Sequence, residues 1–538
     1  MRTTSLLLAS VLASGLASTA CHDAPDSDDF EDGVAVPEGK EDDFLSLTAY
    51  EFVLEGRTSV TLEADLAEAA PETKDARVRE LIGGKQIAIA WFLTQYLVEQ
   101  EEDTGFGGFG GMAKAGAYQD LEVTALDALT YEFTFKQIVA GKKNLVSLLP
   151  ISSTSNGRAY FDFAIGRPTN AELGQLETNN EWYRKAPWSG WNPANVSDAQ
   201  KEVINFAIER ERDSTDAWFD YAALLADGVL RIDVHFGWDY HSEYHIKHAR
   251  SLFTWLKGRG FTAPVDSFDA LTRRSAPFTK LIDADGDEVE VQVRIYYGKP
   301  GSVTDPDTDD GGRALEDDMR ASLATADAIV YSGHSGPFYG FALGNWKKTD
   351  EGDFDDSEMS TAQMPSSYQI VFAEGCDTYH IGEAFKRNPA KAAGNIDVIT
   401  TTSFSDASTP AAVQDFVARL SELDSHGRHR PRTVKSLISD LDSNSYWSHT
   451  MYGVHGIDDN PALHPYAVAA NLCEPCSANA DCGGPGNMCV SVGGARSCVA
   501  ACTDDRGCPA DYRCGAIASQ SSRAIYARAC VPVGNACQ

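Results

Sequence analysis

The sequence predicts an α/β protein whose central, mostly parallel sheet carries helices on both faces. Strand and helix patterns alternate through the middle of the chain, which is typical of a parallel sheet. Alternating apolar patterns precede this region, and ten of the 12 cysteines crowd into a short segment after it. We therefore expect a β-rich accessory domain over 44–225, an α/β domain over 226–470 and a small disulfide-rich module over 471–538.

The N-terminus has the pattern of an export signal. Arg2 precedes an apolar run that extends to Leu16, and small residues follow, which predicts a signal peptide over residues 1–20. The end of this segment resembles the signals of bacterial lipoproteins, in which a small residue precedes a lipidated cysteine, here Cys21. We expect an acidic linker over 21–43 and an exported lipoprotein of the outer membrane or cell surface. The same small residues also suit an ordinary signal peptidase, which would release the protein.

The chain is strongly acidic. It has 45 Lys and Arg against 79 Asp and Glu, which gives a formal charge of −34 at pH 7. Such a charge repels nucleic acid and anionic lipid, so we expect no nucleic-acid partner. Beyond the signal peptide no apolar run approaches the roughly 18 residues that span a bilayer. Contact with a membrane is therefore expected only through the N-terminal lipid.

The β-rich accessory domain has strand patterns and one long helix pattern. Leu45–Leu62 and Leu129–Ile138 alternate as strands do, and Arg77–Gln100 has a helical pattern interrupted by Gly83 and Gly84. We expect this domain either to position substrate or to cover the active site until it is removed.

The α/β domain is predicted element by element from apolar periodicity. An apolar run from Tyr368 to Gly375 is too short for a helix and has the character of a buried parallel strand. The other predicted strands are Val229–Phe236, Val289–Tyr296, Ala328–Tyr331 and Ile396–Thr401. The predicted helices are Glu243–Leu256, Ala314–Ala324 and Tyr379–Arg387.

The cysteines near the C-terminus predict a disulfide framework, because so short an exported segment lacks the apolar residues for a core of its own. The sequence leaves their pairing open. A zinc site is disfavoured, since no second CxxC pair follows at ligand spacing. The ten residues are Cys473, Cys476, Cys482, Cys489, Cys498, Cys502, Cys508, Cys514, Cys530 and Cys537.

Cys376 is the cysteine that neither lipidation nor the framework accounts for. It follows Gly375 at a predicted strand-to-helix turn, and ligands bind at the carboxyl ends of strands in open α/β sheets. The helix N-terminus is expected to favour the thiolate. A buried, inert cysteine is the alternative.

His334 has the same setting at the end of the preceding predicted strand, within Ser332-Gly333-His334-Ser335-Gly336. Two neighbouring parallel strands would bring the imidazole and the thiol to one edge of the sheet, where histidine can take or hold the thiol proton. The flanking glycines would let backbone amides approach a developing oxyanion.

These two motifs resemble those of the caspase-hemoglobinase fold, which caspases, metacaspases, gingipain-type proteases and legumains share. Residues 331–334 match the histidine motif of metacaspases, and Glu374-Gly375-Cys376 resembles their Asp-x-Cys motif. The resemblance covers about Val229 to Ala470 and implies a caspase-like domain and a cysteine endopeptidase. It assigns His334 as the general base or imidazolium partner and Cys376 as the nucleophile, with a protein or peptide substrate and no cofactor.

The resemblance also implies an oxyanion hole and a specificity pocket. The oxyanion would be held by the amide of Cys376 and by one near Ser335 or Gly336, although Ser335 stands where the family has glycine. Acidic residues near the pocket favour cleavage after a basic residue. The pocket would be lined by Glu374, Ser403, Phe404 and Asp406.

Two other functions compete with the peptidase. One is a non-catalytic surface-binding lipoprotein whose peptidase-like domain is degenerate. The other is a metal-dependent hydrolase, because a helix starting at Ser242 would put His241, His245 and His248 on one face. No HExxH arrangement accompanies these histidines, so no metal is expected. The acidic stretch Asp283–Glu288 resembles a calcium loop, but Asp-Gly between two apolar runs predicts a hairpin turn.

Overall fold

The computed structural model describes most of the chain after the N-terminal segment. The described residues are 44–100, 112–114, 119–173, 182–239, 243–336, 340–392, 394–403, 405, 408–443, 452–518, 524–534 and 536–537. The predicted signal peptide, Cys21 and the acidic linker lie outside these residues. No described helix is long and apolar enough to cross a bilayer.

The first part is an antiparallel sheet with a long helix on one face. Seven described strands form this sheet, in the order β3-β5-β2-β8-β7-β6 with β4 beside β5. Its elements, with the strand β1 that precedes them, are β1 (Phe44–Ser46), β2 (Ala49–Thr61), α1 (Pro71–Gln100), β3 (Met112–Lys114), β4 (Gln119–Ala125), β5 (Thr130–Lys142), α2 (Leu145–Leu148), β6 (Ser153–Ser155), β7 (Arg158–Gly166), α3 (Asn170–Leu173) and β8 (Lys201–Arg210).

Helix α1 is continuous where the sequence predicted an interruption. It begins at Pro71 and runs through both glycines to Gln100. A Cβ at Gly84 would lie 3.2 Å from the Cβ of Leu173 in α3, so this glycine lets the short helix pack closely against α1. Phe92 of α1 is fully buried among the aromatic residues of this core. Packing of the apolar face therefore outweighs the low helix propensity of glycine.

The second part is α/β, as the sequence predicted, and its sheet is mixed. Its described strands are β9 (Val229–Phe236), β10 (Phe278–Ala284), β11 (Asp287–Tyr297), β12 (Ala328–Ser332), β13 (Ser335–Gly336), β14 (Gly340–Ala342), β15 (Asp353–Phe354), β16 (Gln369–Glu374), β17 (Ile396–Thr401) and β18 (Tyr452–His455). Its described helices are α4 (Tyr221–Leu224), α5 (Tyr244–Gly258), α6 (Asp309–Thr325), α7 (Asp356–Thr361), α8 (Tyr379–Lys386), α9 (Ala411–Leu420) and α10 (Val434–Ser443).

The order of the strands reverses at one point of the central sheet. Eight described strands follow the order β1-β18-β17-β16-β12-β9-β11-β10. Among them β11, β9, β12, β16 and β17 are parallel, while β10, β18 and β1 are antiparallel to their neighbours. Strand β9 is the first of the parallel strands in the chain, and it lies between the second, β11, and the third, β12. In such doubly wound sheets the strand order reverses at this point, and ligands bind in the crevice beyond the carboxyl ends there.

Helices cover both faces of the sheet because neighbouring strand residues point in opposite directions. Val330 and Phe372 belong to a core with α5, α9 and α10. Ile329 and Val371 belong to a second core with α6, α7 and α8. All four side chains are fully buried, which explains why the two strands are almost entirely apolar.

The strand predicted over 45–62 is divided between the two sheets. Strand β1 is antiparallel to β18 at the edge of the central sheet, whereas β2 belongs to the N-terminal sheet. The break occurs at Ser46, whose hydroxyl donates to the carbonyl of Tyr452 (2.6 Å) and accepts from the amide of Ala49 (3.1 Å). The chain thus enters the central sheet before it builds the N-terminal one.

The acidic stretch between β10 and β11 is a hairpin turn, as expected. Asp285 and Gly286 have φ values of 60° and 102°, which suit a two-residue turn with both residues in the left-handed region. The carboxylate of Asp283 accepts from the amide of Gly286 at 2.6 Å, so it holds the turn closed.

The C-terminal module is rich in disulfides, as predicted. All ten of its predicted framework cysteines are paired, in the bonds Cys473–Cys537, Cys476–Cys489, Cys482–Cys498, Cys502–Cys514 and Cys508–Cys530. Its described strands are β19 (Asn487–Val492), β20 (Ala495–Ala500), β21 (Tyr512–Ala518) and β22 (Ile525–Pro532). This many disulfides indicates an oxidising, extracytoplasmic compartment.

The module consists of two copies of one unit. Each copy has four cysteines, pairs the first with the third and the second with the fourth, and contains one two-stranded hairpin. In the first copy Arg496 donates to the carbonyl of Cys489 (3.3 Å), and in the second Arg528 donates to that of Cys514 (3.1 Å). The disulfide between Cys473 and Cys537 joins a residue before the first unit to a residue after the second.

Candidate active site at the ends of two parallel strands

The turns that carry His334 and Cys376 are in direct contact. Strands β12 and β16 are parallel neighbours, with Ser332 opposite Glu374. Beyond them the amide of Gly333 donates to the carbonyl of Glu374 at 3.0 Å. A Cβ at Gly375 would lie 2.7 Å from the Cβ of Ser335, closer than side-chain atoms pack. The structure therefore brings the two predicted motifs together at one edge of the sheet.

The turn after β9 packs against the same edge. The amide of Gly237 donates to the carbonyl of Ser332 at 2.9 Å. A Cβ at Gly333 would lie 2.9 Å from the Cα of Gly237, so glycine is required where these two backbones meet. Residues that follow β9 thus reach the side chain of His334.

His334 is oriented by a buried carboxylate. Its Nε2 lies 3.1 Å from Oδ1 of Asp239, and the two side chains are 17% and 5% exposed. Because a carboxylate only accepts hydrogen bonds, Nε2 carries the proton and donates to Asp239. The ring of Trp346 stands perpendicular to the imidazole, with ring centres 5.5 Å apart. Both contacts fix the rotation of the histidine ring.

Asp239 is the site residue that sequence reasoning missed. Its Oδ2 accepts from the amide of Tyr244, the first residue of α5, at 3.3 Å. Its own amide donates to Nδ1 of His245 at 3.3 Å. The N-terminus of a helix favours a negative charge, so α5 stabilises the carboxylate that faces His334. One sequence signal could have indicated Asp239: it follows closely after the predicted strand Val229–Phe236, the first strand of the α/β domain. The strand order reverses beside this strand.

The turn that holds Cys376 is fixed by two threonines. Thr378 donates to the carbonyl of Ala373 (2.9 Å) and accepts from the amide of Thr401 (2.9 Å). The hydroxyl of Thr401 donates to the carbonyl of Gly375 at 2.6 Å. Strand β17 therefore anchors the turn on the side away from His334.

Cys376 is half-buried and belongs to no disulfide. Burial raises the pKa of Cys376 to about 12, and the charges of Asp377 and Glu374 act in the same direction. A hydrogen bond with the backbone of Ser405 opposes them only in part. The expectation that the N-terminus of α8 would favour the thiolate is thus wrong, because desolvation outweighs the dipole of so short a helix.

The described residues that were predicted to hold the oxyanion or line the pocket differ in the contacts they make. Ser335 is buried and pairs with Phe341 in the small sheet of β13, β14 and β15, and Gly336 ends β13. Glu374 is buried and accepts a hydrogen bond from the hydroxyl of Tyr452. Ser403 is buried, and its carbonyl accepts from the amide of Asp377 at 2.8 Å. Phe404 and Asp406 lie outside the described residues.

The histidines of the competing metal site are buried in the described part of α5. His245 uses Nδ1 to accept from Asp239, and burial lowers its pKa to about 4. The ring of His248 stacks on that of Tyr244 at 5.4 Å, while His241 lies outside the described residues. Among residues that are described, the groups of three or more ligands close enough to share a metal ion consist of cysteines already paired in disulfides.

Comparisons of the chain with protein-family models, with curated proteins and with solved structures give no match.

Proposed function

We propose that the protein is an exported cysteine endopeptidase of the caspase-hemoglobinase type, in which His334 and Cys376 form the catalytic dyad. The observation that carries the proposal is the contact between the two turns, made by the hydrogen bond from Gly333 to Glu374. A histidine oriented by the buried carboxylate of Asp239 is the second support. Nucleophile, base and orienting group are the parts that acyl transfer requires.

The proposed reaction runs in two halves. With Nε2 donating to Asp239, Nδ1 of His334 takes the thiol proton while the sulfur of Cys376 attacks the peptide carbonyl. A C–S bond forms, the C–N bond breaks, and the amine leaves with the proton from the imidazolium. Water then attacks the thioester, His334 takes its proton, and the thiol is restored as the acid product leaves.

The raised pKa of Cys376 decides the order of the proton transfer. Burial raises the pKa of Cys376, so the proposed mechanism starts from the neutral thiol and lets proton transfer to His334 accompany the attack. The developing oxyanion is assigned to the amide of Cys376 and one near Ser335 or Gly336. A basic residue before the scissile bond is proposed from the acidic pocket residues Glu374 and Asp406.

The proposed location is outside the cytoplasm. Five disulfides form in an oxidising compartment, which agrees with export through the signal peptide at residues 1–20. Lipid on Cys21 would hold the protein at the outer membrane or cell surface. Mass spectrometry of the mature N-terminus from native cells tests this directly, since an unmodified Cys21 would exclude the anchor.

The proposal is tested by labelling and turnover of the purified full chain. Wild type should react with a peptidyl acyloxymethyl ketone that carries Arg or Lys next to the warhead, and should cleave a fluorogenic peptide library. Cys376→Ala should do neither. His334→Ala should be slower by about 10²–10⁴, since general acid–base help is worth that much. Chelator should change nothing, because no step uses a metal.

One observation favours the non-catalytic alternative. Cys376 is half-buried and burial raises the pKa of its thiol, as expected of a cysteine that is no longer catalytic. Absence of both labelling and cleavage in wild type would establish the surface-binding protein. Cleavage that survives Cys376→Ala and is lost with chelator would instead establish a metal hydrolase on His241, His245 and His248.

A further inference from the structure

We infer that His245 is a positioning residue that holds Asp239, and through it His334, in the reactive geometry. The inference rests on the proposed function, because it concerns how the same site is built. His245 does not reach the thiol or the substrate in this role. It acts on the peptide group that precedes the Asp239 side chain.

The N-terminus of α5 is held by Asp239 in place of an ordinary cap. The residue at the cap position, Glu243, has φ 54° and ψ 43°, in the left-handed region, and its side chain makes no capping hydrogen bond. The amide of Tyr244 donates instead to Oδ2 of Asp239 at 3.3 Å. Helix N-termini leave their first amides without helical partners, so this bond satisfies one of them.

The contact is reciprocal. His245, the second residue of α5, accepts the amide hydrogen of Asp239 on Nδ1 at 3.3 Å, and its side chain is 3% exposed. The backbone and the carboxylate of Asp239 are therefore both bound by consecutive residues of one helix. Oδ1 is left to receive the proton on Nε2 of His334, at 3.1 Å.

The same peptide group also positions Trp238, which contacts the aromatic residue beside His334. The amide hydrogen that His245 accepts belongs to the peptide between Trp238 and Asp239. The ring of Trp238 stands perpendicular to that of Trp346, with centres 4.9 Å apart, and Trp346 stands against His334 at 5.5 Å. Fixing this one peptide thus fixes His334 from its carboxylate side and from its aromatic side.

Substitution of His245 by Asn or by Gln distinguishes a hydrogen-bonding role from a role in filling space. An Asn side chain puts its oxygen near the position of Nδ1, whereas a Gln side chain puts it near that of Nε2. His245→Asn should therefore retain the bond to Asp239, and His245→Gln should lose it while remaining polar. A displaced carboxylate no longer holds the proton of His334 on Nε2, and small misplacements of catalytic groups can reduce rates about 10²-fold.

The experiment measures the full-length variants in two ways. The first is the 15N chemical shifts of the His334 imidazole by NMR, assigned with His334→Gln, which report whether Nδ1 or Nε2 carries the proton. The second is kcat and KM on a peptide substrate. For His245→Gln we expect the 15N shifts of His334 to show a mixture of the two tautomers in place of a proton held on Nε2, with kcat reduced about 10–100-fold and KM little changed. His245→Asn should remain within about threefold of wild type.

The matched control is His235→Asn. His235 is equally buried, 2% exposed, and its Nε2 lies 2.9 Å from the hydroxyl of Ser322 on the face of the sheet that α6 covers. Its ring stacks on Tyr296, with centres 4.5 Å apart, and its hydrogen bond is to Ser322, so its loss should leave the tautomer of His334 unchanged.

The outcomes are separable. If His245→Gln and His245→Asn give the same tautomer of His334, the inference is wrong, whether or not the protein cleaves peptides. If the tautomer changes as expected while wild type neither cleaves nor reacts with the electrophile, His245 positions the pair and the proposed peptidase function fails. A tautomer changed equally by His235→Asn would show a general effect of buried histidine loss and would overturn the inference.

Discussion

The phenolic hydroxyl of Tyr379 donates a hydrogen bond to the carboxylate of Glu51, and both side chains are buried. Tyr379 begins α8, three residues after Cys376, while Glu51 lies on β2 of the N-terminal sheet. Phe44 packs edge-on against the same tyrosine ring at 5.2 Å. The bond between Tyr379 and Glu51 joins the N-terminal sheet to the helix that follows Cys376. The expectation that this domain positions substrate or covers the active site stays a prediction.

This contact predicts a loss of stability on Tyr379→Phe. The substitution removes a donor to a buried carboxylate, and we expect the free energy of unfolding to fall by about 1–3 kcal/mol. Urea denaturation followed by circular dichroism measures the change. The control is Tyr526→Phe, since that side chain is 61% exposed and should change stability little. Equal stability of Tyr379→Phe and wild type would show that the two domains are not coupled through this bond.

Asp239→Asn should reduce turnover without unfolding the protein. An amide at this position can donate to Nε2 of His334 and so favours the opposite tautomer, with the proton on Nδ1 where the base must be empty. We expect kcat to fall by roughly 10²–10⁴ with little change in KM. The measurement is steady-state kinetics, with the surface variant Asp198→Asn as the control, since the Asp198 side chain is fully exposed. Unchanged kcat in Asp239→Asn would remove Asp239 from the mechanism.

The thiol should show a distinctive pH dependence. Because burial raises the pKa of Cys376 to about 12, the thiolate fraction keeps increasing with pH through the neutral and mildly alkaline range. We expect the rate of alkylation by iodoacetamide to rise about tenfold per pH unit between pH 7 and pH 9, where a small thiol levels off near pH 8.5–9. Mass spectrometry of the labelled peptide gives the rate. A plateau below pH 7 would indicate a thiolate–imidazolium pair in the resting protein.

The disulfide-rich module should unfold on its own. Each of its two units depends on covalent bonds, and loss of a native disulfide from a small domain removes about 2–5 kcal/mol. Mild reduction with alkylation should therefore make residues 473–537 sensitive to protease while the central sheet stays resistant. Limited proteolysis followed by mass spectrometry tests this. Simultaneous digestion of both regions would mean that the module stabilises the α/β part.

The interior of the central sheet was predictable, and its edges were not. Strands β9, β12 and β17 were predicted within one residue of their ends, because buried parallel strands are short apolar runs. The antiparallel strand β18 was not predicted, and β10 was expected only as the first arm of the hairpin, without bounds. Their pairing depends on neighbours distant in sequence.

The candidate site was predictable in part for a similar reason. His334 and Cys376 stand out by their place after apolar strands, whereas Asp239 is one of 79 acidic residues and gains its meaning from the strand order. The pKa of Cys376 was predicted in the wrong direction, because burial of the thiol depends on how its turn packs against residues from other parts of the chain.

The pairing of β1 with β18 has a consequence for how the chain folds. The hydroxyl of Ser46 and the carbonyl of Tyr452, which bond across these strands, are 406 residues apart. At roughly 5–20 residues per second, ribosomal synthesis needs about 20–90 seconds to reach Tyr452 after it begins. Throughout that interval Phe44 and Leu45 are apolar residues that await their partners. Contacts of such long sequence separation form slowly, so the first strand of the sheet to be made is among the last to be paired.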